Sequence, residues 1–321
     1  MSFTVIGAGV AGLTIATELS DRGADVRIVD SGGAPGPHAC SWWAGGMLAP
    51  FCEGETAPEI VVRHGLEAAN WWEAHGASVT RKGSLAIALG RDRQELDRFA
   101  RRTRENRLLD AEELQDLEPD LAGRFERALF FPTEAHLAPR QALAALTERL
   151  KGRGVEIQKD AQPQAVHLID ARGLNAKADL ADLRGVKGEM LVLHCPEIAL
   201  SRPVRLLHPR IPIYLVPRGG GVYMLGATQI ESSDRKRATA RSILELLSAA
   251  YALHPAFGEA EILEIGVDAR PAFPDNVPRL RRVGPTLYAN GLFRHGFLMS
   301  PALARMAADH LLEGTMPELL Q

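Results

Sequence analysis

The sequence predicts an α/β fold made by the two ends of the chain, with an α+β portion built on an antiparallel sheet inserted between them. Three observations carry this. Residues 3–30, FTVIGAGVAGLTIATELSDRGADVRIVD, read as strand, glycine-rich turn, helix and second strand. From about Gly185 the pattern changes to short alternating runs at 186–193, 204–207, 213–217 and 222–227, the pattern of antiparallel strands with one covered face. The chain then closes on a short strand at 286–289 and a helix at 300–312, with Pro301 in its first turn. A length of 321 residues suits two domains, at roughly 150 residues each.

The opening unit justifies itself residue by residue. Phe3, Val5 and Ile6 make a short apolar run suited to a buried parallel strand. Gly7, Gly9 and Gly12 follow as GxGxxG. Gly7 permits the tight turn, Gly9 lets a pyrophosphate approach the backbone, and Gly12 lets the helix pack close to the strand. Val10, Leu13, Ile15, Ala16 and Leu19 give the helix its buried face. The free N–H groups at its start, near Val10 and Ala11, and the helix dipole favour a diphosphate. Gly23 ends the helix, and residues 26–29 form a second strand closed by Asp30. An acid at that point accepts hydrogen bonds from ribose hydroxyls and disfavours a 2′-phosphate. The unit is therefore Rossmann-like and binds a dinucleotide, FAD or NAD on these residues alone.

After Asp30 comes a Gly- and Pro-rich loop, then SWWAGGMLAP at 41–50. A helix is expected over 59–75, where Trp71 and Trp72 read as packing residues. A strand follows at 84–89. The charged helix at 91–106 reads as a solvated face. Asp110-Ala-Glu-Glu113 has the form of a capping box, and Pro139 opens a helix over 139–150. Strands are expected at 154–157 and 166–170, separated by a very brief link after Gln158. A helix is expected at 238–253. A strand at 262–269 is expected to stop before Pro271, Pro274 and Pro278. The resulting division is 1–80, 135–185 and 275–321 for the nucleotide domain, and 81–134 with 186–274 for the inserted domain.

Composition narrows the function. Apolar residues at 46% and charged residues at 24% exclude a disordered polymer or a collagen-like chain. A formal net charge of −3 provides no overall field for nucleic acid or an anionic membrane. No apolar run approaches the roughly 18–20 residues of a membrane span, and a strand beginning by residue 3 or 4 leaves no room for a signal peptide. Cys40, Cys52 and Cys195 form no CxxC pair, so a reduced, cytoplasmic protein is expected. The histidines show no HxxxH or HExxH spacing, and no metal site is expected.

Several short motifs, in this order, carry a family resemblance: GAGVAG at 7–12, Ser41-x-x-Ala44-x-Gly46-Met47-Leu48, Val186-Lys187-Gly188-Glu189, Tyr214-Leu-Val-Pro-Arg218, Gly226-Ala-Thr228, Ala269-Arg-Pro271 and Asn290-Gly-Leu-Phe-Arg-His-Gly-Phe297. Over nearly its whole length the chain resembles the FAD-dependent amine oxidases of the D-amino-acid oxidase group. It looks most like the glycine oxidases of bacterial thiamine biosynthesis. The resemblance implies an FAD-binding domain and a substrate domain with the flavin between them. It implies oxidation of glycine or a similar small amine by hydride transfer to flavin, with dioxygen as the electron acceptor. The products are an imine or glyoxylate and hydrogen peroxide. It also implies handover of the imine to thiazole synthase and assembly as a homo-oligomer.

The resemblance also assigns residues. Gly7, Gly9, Val10, Ala11 and Gly12 would face the diphosphate, with Asp30 and Ser31 at the AMP ribose. Ser41, Ala44, Gly46, Met47, Leu48 and Gly173 would lie along the flavin and its ribityl chain. Gly291, Arg294, His295, Gly296, Phe297 and Leu298 would border the ring. Their backbone N–H groups, at the start of the Ser300 helix, would stabilise negative charge on it. Arg270 stands in the substrate-arginine position, where a guanidinium fork grips a carboxylate, and it borders the flavin as well. Tyr214 would hydrogen-bond the same carboxylate, Arg294 would stand at the substrate pocket as well as the flavin ring, and Gln229, where glycine oxidases often carry Met, would line the pocket. None of the three cysteines matches a covalent flavin attachment, so the FAD is expected to be noncovalent. A D-amino-acid or sarcosine oxidase is the near alternative. A pyridine-nucleotide dehydrogenase and a non-catalytic FAD-binding interaction protein are the distant ones.

Overall fold

The computed structural model describes residues 1–159, 161 and 167–321. Most of the brief link after Gln158 lies outside the described residues, as does Val166, the first residue of an expected strand. That strand is seen as His167–Asp170.

The ends of the chain build a six-stranded sheet in the order Arg279–Val283, Thr286–Asn290, His167–Asp170, β1 (Ser2–Ile6), β2 (Asp25–Val29), Ile157–Gln158. Its strands run parallel except at the Arg279–Val283 edge, which forms a hairpin with its neighbour. Phe3, Val5 and Ile28 are fully buried because helices cover both faces. Helix α1 (Val10–Asp21) packs beside the closing helix Gly296–Glu313 and the helix Pro139–Gly152.

Among the described residues the second sheet has nine strands. Arg184–His194 lies between Val222–Gly226 and Glu261–Ala272, and the short strand Ile230–Glu231 pairs with it at Lys187. The order then continues through Ile213–Gly219, Val204–Leu207, Ser84–Ala88, Ala128–Phe131 and Arg107–Leu109. Pairing is antiparallel except where Val204–Leu207 runs parallel to Ser84–Ala88. Its apolar face packs against the helix Ala240–Leu253. A small third sheet, Met47–Leu48, Ala135–Leu137 and Val79–Thr80, fixes the 41–48 segment beside the first sheet's helices.

Four details depart from the sequence reading. The 59–75 helix is two helices, Glu59–Gly65 and Ala68–Ala74. A side chain at Gly65 would run into Leu298, so the first helix sits too close to the closing helix to continue straight. The expected strand at 154–157 is displaced to Ile157–Gln158. The strand at 261 passes through Pro271 to Ala272. Among the described residues it pairs on one side only, so the missing proline N–H interrupts no second ladder. The closing helix starts at Gly296, not Ser300, and Pro301 sits inside it. A proline there leaves the carbonyl of the residue four earlier, Phe297, without its helical donor. The Trp72 indole supplies one: Nε1 donates to Phe297 O at 2.8 Å. Trp72 thus packs and also satisfies the carbonyl that lets the helix begin a turn early. The Asp110 capping box is present, with reciprocal bonds of 2.9 and 3.1 Å to Glu113.

Candidate active site

A cavity of about 1290 Å³ draws its walls from both large sheets. At one end lies the glycine-rich turn. Gly7 has φ +105°, and a Cβ there would come within 2.7 Å of Ala171 O. Asp30 accepts from Ala8 N–H and from Gly32 N–H, both at 2.7 Å, so its carboxylate braces the turn as well as facing the cavity. Ser41 Oγ accepts from Val10 N–H at 3.3 Å. Gly9 and Ala11 also line the cavity, and among the described residues their N–H groups donate to no other group. Open donors at the start of a buried helix are what a dinucleotide diphosphate requires. Ser31 lines the same end.

Gly12 sits behind this wall instead of on it. A Cβ at Gly12 would overlap Gly7 O, whereas one at Gly9 would meet only Ser41 Oγ at 3.6 Å. We therefore expect Gly12→Ala to destabilise the fold with or without ligand. Gly9→Ala should leave the apoprotein's unfolding curve nearly unchanged and weaken FAD binding at least ~10-fold, from a methyl placed against the ligand. Urea titration and flavin-fluorescence titration of both variants check this.

The middle of the cavity is bordered by Ser41, Ala44, Gly46, Met47 and Gly173, and by the turn 294–298 leading into the closing helix. Two expected residues lie elsewhere. Leu48 is buried in the core of the first sheet. Gly291, at φ +78°, is required because a side chain would strike the Phe273 ring. Arg294, His295, Gly296, Phe297 and Leu298 do reach the cavity. The helix N-terminus beside it is at Gly296, four residues earlier than the sequence suggested.

At the far end Arg270 and Tyr214 come together. Arg270 Nη1 donates to Thr228 O at 3.1 Å. Its guanidinium lies flat over Gly188, where any Cβ would overlap it. The Tyr214 ring is held between Gly45 and Gly226, each leaving only 2.8–2.9 Å for a Cβ. Thr228 and Gly226 belong to one strand end, so the two side chains approach the cavity from adjoining positions. Among the described residues Arg270 forms no ion pair. The nearby Asp268 is taken by Arg235 at 2.5 Å. Gln229 reaches the cavity wall but is largely exposed, and buried Met190 lines the wall as well.

Arg294 reaches the cavity, but its guanidinium also has protein partners. Its Nε lies 2.7 Å from Glu53 Oε2, and its Nη2 donates to Thr56 Oγ1 at 2.7 Å. Glu53 Oε1 accepts from Arg205 at 2.8 Å, and His295 Nδ1 lies 3.3 Å from Oε2. Glu53 and Arg205 also line the cavity. Burial opposes ionisation of Glu53, but Arg294 and Arg205 outweigh it and hold its pKa well below the carboxylate range. The two arginines are thereby neutralised in part, whereas Arg270, like the exposed Arg210 and Arg241 elsewhere on the wall, forms no ion pair among the described residues. No periodic pattern connects residues 53, 205 and 294, so sequence reasoning had no signal for this cluster.

Burial also pushes the His295 imidazole down to about 4, against the attraction of Glu53. It is neutral at pH 7. The folded state binds fewer protons than the unfolded one, so its contribution is complete above about pH 6.5 and is lost as pH falls towards 4. The slope is at most about 1.4 kcal/mol per pH unit. Buried Glu134, pushed up to about 7, slopes the other way over the same range. The difference between wild type and His295→Gln in urea midpoints from pH 4 to 7 isolates the histidine. We expect the wild type to lose more stability on acidification than the variant does.

The fold and this cavity define an oxidoreductase built around a dinucleotide, with a cationic pocket at the far end for a small anionic substrate. The chain belongs to the FAD dependent oxidoreductase family, whose model matches residues 2–310. It is 53% identical over 326 residues to a Rhizobium etli protein named "putative thiamine biosynthesis oxidoreductase ThiO", covering 99% of each chain. It is 25% identical over 357 residues to a glycine oxidase of Pseudomonas aeruginosa, covering 98% of this chain and 95% of that one. It is 26% identical over 358 residues to a bifunctional protein ThiO/ThiG of Trichormus variabilis, covering 98% of this chain and 53% of that one.

Proposed function

We propose that this protein is a glycine oxidase acting in thiamine biosynthesis. The observation that carries the reading is Arg270, a cation on the cavity wall with no acidic partner, fixed by Thr228 O and by the bare backbone of Gly188. Such a guanidinium makes two charge-assisted hydrogen bonds to one carboxylate. The Tyr214 hydroxyl, without a partner among the described residues, adds a third donor. The carboxylate held there leaves the Cα of a short amino acid directed towards the middle of the cavity. Ser41, Ala44, Gly46, Met47 and Gly173 would hold FAD, which would supply the two-electron acceptor, with dioxygen as the final oxidant and hydrogen peroxide as its product. The amine must be neutral when hydride leaves, and the acid nearby, Asp268, is already paired with Arg235. The chain's contribution is orientation and charge placement. The imine hydrolyses to glyoxylate and ammonia, or is taken over before water reaches it.

The open N–H groups of the glycine-rich turn fit a noncovalent FAD. The experiment is an anaerobic visible spectrum before and after glycine. Flavin bands that bleach with glycine and return with air are expected. Bands that ignore glycine but bleach with sarcosine or D-alanine would overturn the substrate, and bands that ignore all three would make the protein non-catalytic.

Imine handover to thiazole synthase is part of the same proposal. It is supported by the relative in which a ThiO part and a ThiG part share one polypeptide. A homo-oligomer is favoured by Ile262, Leu263 and Ile265, exposed on the outer edge strand, and light scattering measures it. Among the described residues no helix is long and apolar enough to cross a membrane. The three cysteines are free, and we place the protein in the cytoplasm.

A further inference from the structure

Arg218 is a half-buried cation with no carboxylate beside it among the described residues. It extends from the strand Ile213–Gly219, four residues after Tyr214, at the irregularity between Pro217 and Gly219, and both side chains meet Gly45. Its Nη2 donates to Gly45 O at 2.7 Å and lies 3.5 Å from Ala44 O. Its Nη1 donates to Leu137 O at 3.2 Å. Burial pushes its pKa down to about 10. Withdrawing a charge from water without a counter-charge is expensive, and three peptide carbonyls are an unusual set of partners for it.

The consequence lies on the opposite side of those peptides. In a trans peptide the N–H points away from the C=O of the preceding residue. When Arg218 draws Ala44 O and Gly45 O towards itself, the N–H groups of Gly45 and Gly46 turn the other way. Both glycines line the cavity, and among the described residues neither N–H donates to another group. The segment is closely packed. The Tyr214 ring presses on Gly45 at 2.9 Å from a Cβ position, and Gly46 at φ +74° is closed in by Leu137 O and Pro139.

We propose that Arg218 is a positioning residue for the cofactor: it orients two consecutive backbone N–H groups, of Gly45 and Gly46, into the cavity as donors to the electron-rich acceptor atoms of bound FAD. This rests on the cofactor and is independent of which amine is oxidised. A pair of backbone donors needs no side chain in the cavity, which explains why small residues stand at 44–46 and why the positive charge is held one layer behind them.

The test uses the apoproteins of wild type, Arg218→Met and Arg218→Lys. Each is titrated with FAD while flavin fluorescence and the visible spectrum are followed, and Tm is measured with and without FAD. Arg218→Met should raise the FAD Kd by ~30- to 100-fold, alter the visible bands of the flavin that still binds, and shrink the FAD-induced rise in Tm. Arg218→Lys, which keeps the charge and a donor to Gly45 O, should recover part of the loss. A merely structural brace would lower Tm with and without FAD alike and leave Kd and spectrum unchanged, and that result overturns the proposal. If Arg218→Met does not fold, Arg218→Lys alone decides. Its lost fork should cost at least ~5-fold in Kd, and wild-type affinity with a wild-type spectrum refutes the positioning role. Failure of wild type itself to bind FAD would overturn the cofactor instead, and failure to oxidise glycine would leave this test intact.

Discussion

Arg270→Ala should lower kcat/KM for glycine by ~30- to 1000-fold, most of it through KM, while FAD remains bound. Two charge-assisted hydrogen bonds to the substrate carboxylate are lost, together about 2–4 kcal/mol. The charge itself is not enough. Arg270→Lys supplies a single rotating ammonium and should recover only a small part, because the fork geometry is gone. Gly188→Ala is the sharper version of the same experiment. It leaves Arg270 in the protein but puts a methyl where the guanidinium lies. Turnover in Gly188→Ala should fall in the same direction as in Arg270→Ala, again with the flavin spectrum intact. Steady-state kinetics with glycine over a wide concentration range, with flavin absorbance recorded on the same samples, checks all three. Unchanged KM in Arg270→Ala would remove the carboxylate from this end of the cavity.

The second large effect falls on stability. Glu53→Ala should cost about 3–5 kcal/mol, because it strands buried Arg205 without its counter-charge and releases Arg294. Glu53→Gln should be intermediate, since an amide oxygen still accepts from Arg205 but carries no charge. The loss should also depend on pH. With Glu53 held below the ordinary carboxylate range in the folded state, its contribution is present above about pH 4.5 and disappears as the solution is acidified. The difference between wild type and Glu53→Gln should therefore narrow towards low pH, measured as urea midpoints. A second outcome concerns the substrate pocket. Arg294 released from Glu53 becomes a further free cation at the cavity, and Glu53→Gln should lower the inhibition constants of anionic inhibitors.

The two experiments concern residues of different visibility. Arg270 and Tyr214 sit in short motifs at strand ends, and their type already suited a carboxylate. Glu53 stands in PFCEGE and looks like any acid following a short helix. Its importance comes from Arg205 and Arg294, more than 150 residues away in the chain, which the two sheets bring to the same wall. Arg294 illustrates the reverse. Its motif placed it at the substrate pocket, and it does line the cavity, but only the tertiary structure gives its guanidinium Glu53 and Thr56 as partners.

The sequence by itself determined the unit β1–α1–β2, its glycine-rich turn and the terminal Asp30. All of that information lies within thirty contiguous residues, in which strand period, turn glycines and helix face reinforce one another. It also determined the antiparallel character of residues 186–227, because alternation is a property of one strand at a time. Only the tertiary structure decided what depends on a partner far along the chain. The closing helix begins at Gly296 because Trp72 satisfies Phe297 O, which Pro301 leaves free. Arg270 is open to a ligand because Asp268 is already paired with Arg235. The N–H groups of Gly45 and Gly46 face the cavity because Arg218 holds the other side of their peptides. In each case a local pattern fixed the element, and the choice of partner for one buried polar group fixed what that element presents to the site.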